Sequence, residues 1–237
     1  MIAQSVAMKV TVVVPAYNEE SILERCLLSL RSQTVPCEIV VCDNNSTDRT
    51  HEIAMRLAHK VVRERKQGPL HALNAGARAA SGDLIAITGA DCTVPPTWVE
   101  SFLRNFSDPR TVACYGPIDP LEGRHRLYFS AMNIAERLCI RTGLWFVIQG
   151  ANFMARREAA EKAGWFDPRV ELFEENGFFR KIRRQGKVRF VNGNRVRASV
   201  RRMDESGKLR LIVLGASQMI RLTLSGRTDA SSFGAVR

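Results

Sequence analysis

Short β-branched runs alternate with amphipathic stretches through the first ninety residues. Lys9–Val14 (KVTVVV) is apolar almost throughout, as in a strand covered on both faces, and Pro15 is expected to end it. Asn18 is placed to cap a helix over Glu19–Gln33, in which Ile22, Cys26, Leu27 and Leu30 recur at helical spacing. A second strand, Glu38–Cys42, runs into the polar stretch Asp43-Asn44-Asn45-Ser46-Thr47-Asp48, where Thr47 or Asp48 can cap a helix to about His59. A short strand at Lys60–Arg63, a helix from Gly68-Pro69 to about Ala80 and a strand ending at Thr88 follow. This alternation predicts a mostly parallel sheet with right-handed crossovers. The loops at Pro15–Glu20, Asp43–Asp48 and Gly89–Thr93 all follow strand ends, so they converge on one sheet edge, where open α/β folds bind ligands.

Farther on, Pro95 and Pro96 open a helix to about Phe106, and Thr111–Tyr115 reads as a strand. A helix over Arg124–Leu138, an apolar strand at Leu144–Ile148, a short helix over Arg157–Ala163 and another over Glu174–Gln185 are predicted next. Two short strands, Val188–Val191 and Val196–Ala198, precede an apolar-rich helix over Leu209–Leu224. There is no internal repeat and no Pro/Gly/Ser-rich linker, so residues 1–237 are expected to form a single domain.

Charge changes this picture at one place. From Phe178 onward the chain carries 15 Lys or Arg and three acidic residues (Asp204, Glu205, Asp229), which accounts for the whole net charge of +11. Such a block suits a phosphate-bearing ligand or an anionic membrane surface, or it is merely a solvated face. Nucleic acid is not expected as a partner, because the block lacks interleaved aromatic residues and any recognition motif. The six cysteines (Cys26, Cys37, Cys42, Cys92, Cys114, Cys139) form no CxxC pair and read as reduced core thiols of a cytoplasmic protein. No signal-peptide pattern and no apolar run near the roughly 20 residues of a membrane span is present, so the expected location is cytoplasmic, or peripheral at the inner face of the membrane.

Four segments, taken together and in order, resemble the inverting nucleotide-sugar glycosyltransferases of family 2, which have the GT-A fold. They are VVVPAYNEE (Val12–Glu20), EIVVCDNNSTDRT (Glu38–Thr50), GPLHALNAGARAASGDLIAITGADCTVPPTW (Gly68–Trp98), and the stretch Gly150–Gly186 with GANFMARREAAEKAGWFD and FEENGFFRKIRRQG. The resemblance covers about residues 9 to 202. It implies an α/β, Rossmann-like, mostly parallel sheet flanked by helices, with a nucleotide-sugar-binding half at 9–98 and an acceptor and catalytic half at 99–202. A basic helix and tail would occupy 203–237.

The implied chemistry is transfer of a sugar from a nucleotide-diphosphate sugar, a UDP-sugar being favoured, to an acceptor hydroxyl with inversion. That needs a base on the acceptor and a stabiliser for the departing diphosphate. By resemblance Asp91 matches the last Asp of the family's DxD segment and would hold Mg²⁺ or Mn²⁺. Pro15, Tyr17 and Glu19 would border base and ribose, and Asp43 and Asn44 would face the base edge and ribose, with Asn74 also on the donor side. Glu175 matches the general base, ahead of Glu174 and Asp167.

Three positions depart from the family pattern. Gly89 stands for the first Asp of DxD, Leu73 for the usual Arg or Lys beside Asn74, and Glu175 for an Asp. Arg201 and Arg202, in a segment resembling a Ser-x-Arg-Arg ending, could clamp the diphosphate and partly replace the cation missing at position 73. Leu209–Leu224 could lie at a membrane interface and meet a lipid-linked or membrane-bound acceptor, or pack on the core or on a second copy in a homodimer. The alternative function is a catalytically weakened GT-A domain that binds a nucleotide sugar or a partner without turnover.

Overall fold

The computed structural model describes residues 8–143, 149–168 and 174–206. Its centre is a seven-stranded sheet. The strands are β1 (Val10–Ala16), β2 (Glu38–Asp43), β3 (Lys60–Arg63), β4 (Leu84–Thr88), β6 (Thr111–Tyr115), β8 (Asn152–Arg156) and β9 (Lys187–Phe190), in spatial order β3-β2-β1-β4-β8-β6-β9. All run parallel except β8, which is antiparallel to β4 and β6 on either side. A smaller three-stranded sheet, β5-β10-β7, joins β5 (Cys92–Thr93), β7 (Ile118–Pro120) and β10 (Val196–Ala198).

Helices cover both faces of the large sheet, as strands apolar on both alternate sets of positions require. Val10, Val12 and Val14 of β1 point into one core with α1 (Leu23–Arg31), α2 (Thr50–Leu57) and α4 (Trp98–Leu103). Val13 points into the other, with α3 (Pro69–Ala79), α6 (Arg157–Lys162) and α7 (Glu174–Arg183), and with Cys139 and Ile140 from α5 (Arg126–Thr142). Leu73 is buried in this second core, so its hydrocarbon side chain contributes packing at that position. The last described helix is α8 (Arg201–Ser206). It spans the expected boundary at residue 203.

The structure differs from the sequence-based expectations in several local ways. Strand β1 runs through Pro15 to Ala16. The β1–β4 ladder ends at Val13, and Pro15 lies beyond it beside β2 alone, so its missing N–H does not interrupt a central ladder. Asn18 does not cap α1. It adopts the left-handed region (φ 52°) and spends its side chain on the next loop, while α1 starts only at Leu23.

A strand that the hydropathy pattern did not predict, β8, fills the slot between β4 and β6. Its polar ends are hidden by their own bonds. Asn152, fully buried, accepts from Trp98 Nε1 (2.9 Å) and donates to the carbonyls of Pro117 and Asn194. Arg156 donates to the carbonyls of Thr111 and Phe106 and lies over the Phe106 ring. The strand expected at Leu144–Ile148 and the helix expected at Leu209–Leu224 fall outside the described residues. All six cysteines are free thiols, and among the described residues no helix is long and apolar enough to cross a membrane.

Candidate active site

Strand order places the candidate site. The chain goes outward from β1 to β2 and β3, then crosses back to β4 on the other side of β1, so the crevice between β1 and β4 is a topological switch point. The loops after β1, β2 and β4 meet there. Because β8 is antiparallel, its start at Asn152 pairs with Thr88, the last residue of β4. Gln149 and Gly150 therefore lie at the same edge as Asp91.

The first two loops are fastened to each other. Asn18 Oδ1 accepts from the Thr47 N–H (2.9 Å), and the Asn18 N–H donates to Ser46 Oγ. Asp48 accepts from the Glu20 N–H and from the Thr50 N–H, the first donor of α2; the residue at the N-cap is Arg49, which makes no side-chain cap bond, so neither Thr47 nor Asp48 is the cap that the sequence predicts. Tyr17 is 45% exposed at this rim, and Pro15 is half-buried behind it.

Asp43 is fully buried at the end of β2. Its Oδ1 accepts from the Ser46 N–H, and its Oδ2 lies 3.1 Å from His51 Nδ1 and 3.5 Å from Arg63 Nε. Asn44 is committed to the protein's own backbone. Its Nδ2 donates to the carbonyls of Glu64 and Lys66, and its Oδ1 accepts from the Gly68 N–H (2.8 Å), which moulds the segment leading into α3. Asn74 is likewise turned into the protein, exchanging two hydrogen bonds with the backbone of Phe166. It ties α3 to the segment preceding α7.

Glu19 is buried and pairs with Arg201, whose Nη2 donates to Glu19 Oε2 (2.6 Å) while Nη1 donates to Ser21 Oγ. This contact brings α8 onto the β1 loop. Arg202 is the next residue of α8, and its side chain lies outside the described residues. The neighbouring Ser199 N–H donates to the Asp91 carbonyl (3.0 Å), so the β10–α8 connection is fixed to the β4 loop as well.

Asp91 itself is half-buried. Its Oδ1 lies 2.6 Å from where a Cβ on Gly89 would stand, so the carboxylate folds back over the space that the missing side chain leaves. The Cys92 thiol is pushed well above its ordinary pKa by burial and, secondarily, by Asp91. Among the described residues no three His, Cys, Asp or Glu side chains gather into a metal cage. One carboxylate at a strand end still fits a hard cation that completes its shell with a ligand's phosphate oxygens and water.

Glu175, the second residue of α7, lies across the edge. Its Cγ is 2.8 Å and its Oε1 3.2 Å from the position of a Cβ on Gly150, an approach that only glycine permits. Behind it the Tyr115 hydroxyl is held well above its ordinary pKa by burial, reinforced by the charges of Glu136 and Glu175. Glu136 is fully buried on α5, and burial pushes its carboxyl up to about 8 against the lowering effect of hydrogen bonds from Gln149. Those bonds run from the Gln149 N–H to Oε1 (2.7 Å) and from Nε2 to Oε2 (3.2 Å). Sequence reasoning missed Glu136, His51 and Arg63. For Glu136 a signal existed: it follows Phe129 and Asn133 and precedes Ile140 at helical spacing, so it had to point inward.

With this geometry in view, comparison with known proteins is decisive for the family. The model of "Glycosyl transferase family 2" matches residues 11–164. The chain belongs to that family. Among curated family relatives, the glycosyltransferase AglE of Haloferax volcanii is 34% identical over 100 residues, covering 38% of this chain and 33% of AglE. The dolichol-phosphate mannosyltransferase of Pyrococcus furiosus is 33% identical over 113 residues, covering 45% of this chain and 32% of that protein. Among solved structures, the mannosyltransferase PcManGT of Pyrobaculum calidifontis, in complex with GDP-Man and Mn²⁺, superposes with a TM-score of 0.68 at 27% identity. That match covers 81% of this chain and 57% of PcManGT. The family 2 chain thus spans about a third of these two curated relatives and just over half of the solved one, and its α/β architecture is of the GT-A type.

Proposed function

We propose that the chain transfers a sugar from a nucleoside-diphosphate sugar, UDP-linked in the first instance, to an acceptor hydroxyl with inversion at the anomeric carbon. The observation that carries this reading is the pairing of β4 with β8. It sets Asp91 and the Glu175 contact at Gly150 on one edge of one sheet, two carboxylates reached from opposite sides. Glu175 takes the proton of the acceptor hydroxyl as that oxygen bonds to the anomeric carbon. The bond from that carbon to the diphosphate oxygen breaks with its electron pair going to the leaving group. Asp91 would hold Mg²⁺ or Mn²⁺, which when bound supplies positive charge to the departing diphosphate.

Tyr17 offers a ring face for the base. Asp43 supplies an acceptor for a ring N–H, such as the imide N–H of uracil or the lactam N–H of guanine. To reach it a base must displace the exposed Arg63 side chain and put its own N–H in that place, because the Asp43 carboxylate is buried and needs a partner. The Glu19–Arg201 pair is the internal support of this rim, with Arg201 already paired, so the diphosphate charge would fall to the cation at Asp91 and to Arg202. A lipid-linked acceptor is supported by the name of the dolichol-phosphate mannosyltransferase.

The test is a thermal-shift panel of UDP, GDP, CDP and dTDP, each with and without Mn²⁺. A ligand at about 100 times its Kd stabilises by roughly 2.7 kcal/mol. We expect a Mn²⁺-dependent rise in Tm that is largest for UDP and absent in Asp91→Ala. No rise with any nucleotide would overturn the reading.

A further inference from the structure

Helix α5 has a second apolar face that packs on nothing among the described residues. Leu127, Ala131, Ile134 and Leu138 are spaced by four, three and four, which lines them up along one side of the helix. All are exposed, Leu127 at 88%, Ile134 at 62% and Leu138 at 53%. The inward face, with Phe129, Cys139 and Ile140, already supplies the helix's share of the core. Single exposed leucines need no explanation, but a continuous row of them does.

The exposed charge carried by α5 itself has one sign. Arg126, Arg137 and Arg141 follow the same flank of the stripe, all exposed. The sole carboxylate of α5, Glu136, points inward and is buried. Past that flank Arg137 and Arg141 form one wall of a cavity of about 740 Å³ that also receives Arg183, Lys187 and Arg189, the last two paired with Asp108, so positive charge is in excess there. A hydrocarbon ridge therefore borders a cationic basin.

We propose that this face docks on an anionic membrane surface, with Leu127, Ile134 and Leu138 at the boundary between headgroups and acyl chains and the basin over lipid phosphates. Helices with an apolar stripe and a basic margin bind such interfaces through buried apolar area and attraction to anionic lipid. Charge argues against the other occupants. A second copy docking with its helix antiparallel would bring two arginine rows together, and an uncharged apolar segment would leave Arg137 and Arg141 without counter-charge. The inference stands apart from the identity of the donor and from catalysis.

The test is co-sedimentation of the full chain with vesicles of phosphatidylcholine, with and without about one third phosphatidylglycerol, at low and high salt. Wild type should bind only the anionic vesicles and lose binding in high salt. Leu127→Ser with Ile134→Ser, and separately Arg137→Gln with Arg141→Gln, should each lower the partition coefficient at least tenfold with Tm and donor-induced thermal shift unchanged. Retained binding in both variants, or no binding by wild type, would overturn the proposal. In addition, a Leu127→Cys thiol should react quickly with a water-soluble disulfide reagent and be slowed by anionic vesicles. Slow reaction without vesicles would mean that the chain itself or a second copy covers the face, which also overturns it.

Discussion

The two sides of the central sheet are held by different forces. Around the ends of β1 and β2, side chains fasten backbone: Asn18 to Thr47, Asp48 to Glu20 and Thr50, and Asn44 to Glu64, Lys66 and Gly68. Around β6, β8 and α7, rings pack on rings, with Tyr115 4.8 Å from Phe153 and Phe166 4.6 Å from Phe178 between centroids. Hydrogen bonds of the first kind fix loops where a ligand must meet preset polar groups. An aromatic wall of the second kind fixes little by direction, but it helps to keep water from the buried Glu136 carboxyl, which burial holds up to about 8. One side orients polar groups, the other buries Glu136.

Removing the proposed base should separate the two sides most sharply. Glu175→Gln is expected to lower turnover by about 100- to 10,000-fold while leaving the nucleotide-induced thermal shift intact, measured by steady-state kinetics beside the melting panel. Equal loss of both would show that the acidic side also shapes the donor site.

A smaller effect tests the aromatic side through pH. The Glu136 carboxyl is raised to about 8 in the fold from an ordinary 4.5, so the folded chain keeps a proton that the unfolded chain releases. Stability then falls as pH rises from about 4.5 to about 8 and stays low above it. Glu136→Gln should abolish this slope, being more stable than wild type by a few kcal/mol at pH 9. Near pH 4 it should be equal or slightly weaker, because Gln149 Nε2 loses an acceptor. Urea melts across that range give the answer.

The smallest effect belongs to the polar side. Asn44→Ala leaves two carbonyls and one N–H without their partner, at a cost of about 2 kcal/mol. It should raise the KM for donor while kcat at saturation stays near wild type. An unchanged KM would mean that the segment before α3 does not shape the donor site.

Strands β1, β2 and β4 were legible because burial on both faces writes itself as a continuous β-branched run. Strand β8 was not, since Asn152 and Arg156 look like surface residues until their partners on Trp98, Pro117, Asn194, Thr111 and Phe106 are known. The candidate site shows the same division. Asp91 and Glu175 could be located from motif order, because a strand end and a helix start fix where a residue sits. What the amides of Asn44 and Asn74 hold could not be read, because their partners, 20 to 92 residues away, are backbone groups that carry no side-chain signal. The Glu19–Arg201 pair spans 182 positions and was hidden for the same reason.

The antiparallel placement of β8 also orders events in time. Strand β4, buried along its whole length in the finished protein, has β1 on one side and receives its other neighbour only when Asn152–Arg156 has been made, roughly 70 residues later. At a ribosomal pace of about 5 to 20 residues per second, that is about 4 to 14 seconds. For that interval the nascent chain presents Leu84–Thr88 as an apolar edge open to wrong partners. The wait for the strand that completes the sheet is thus a step at risk in making this protein.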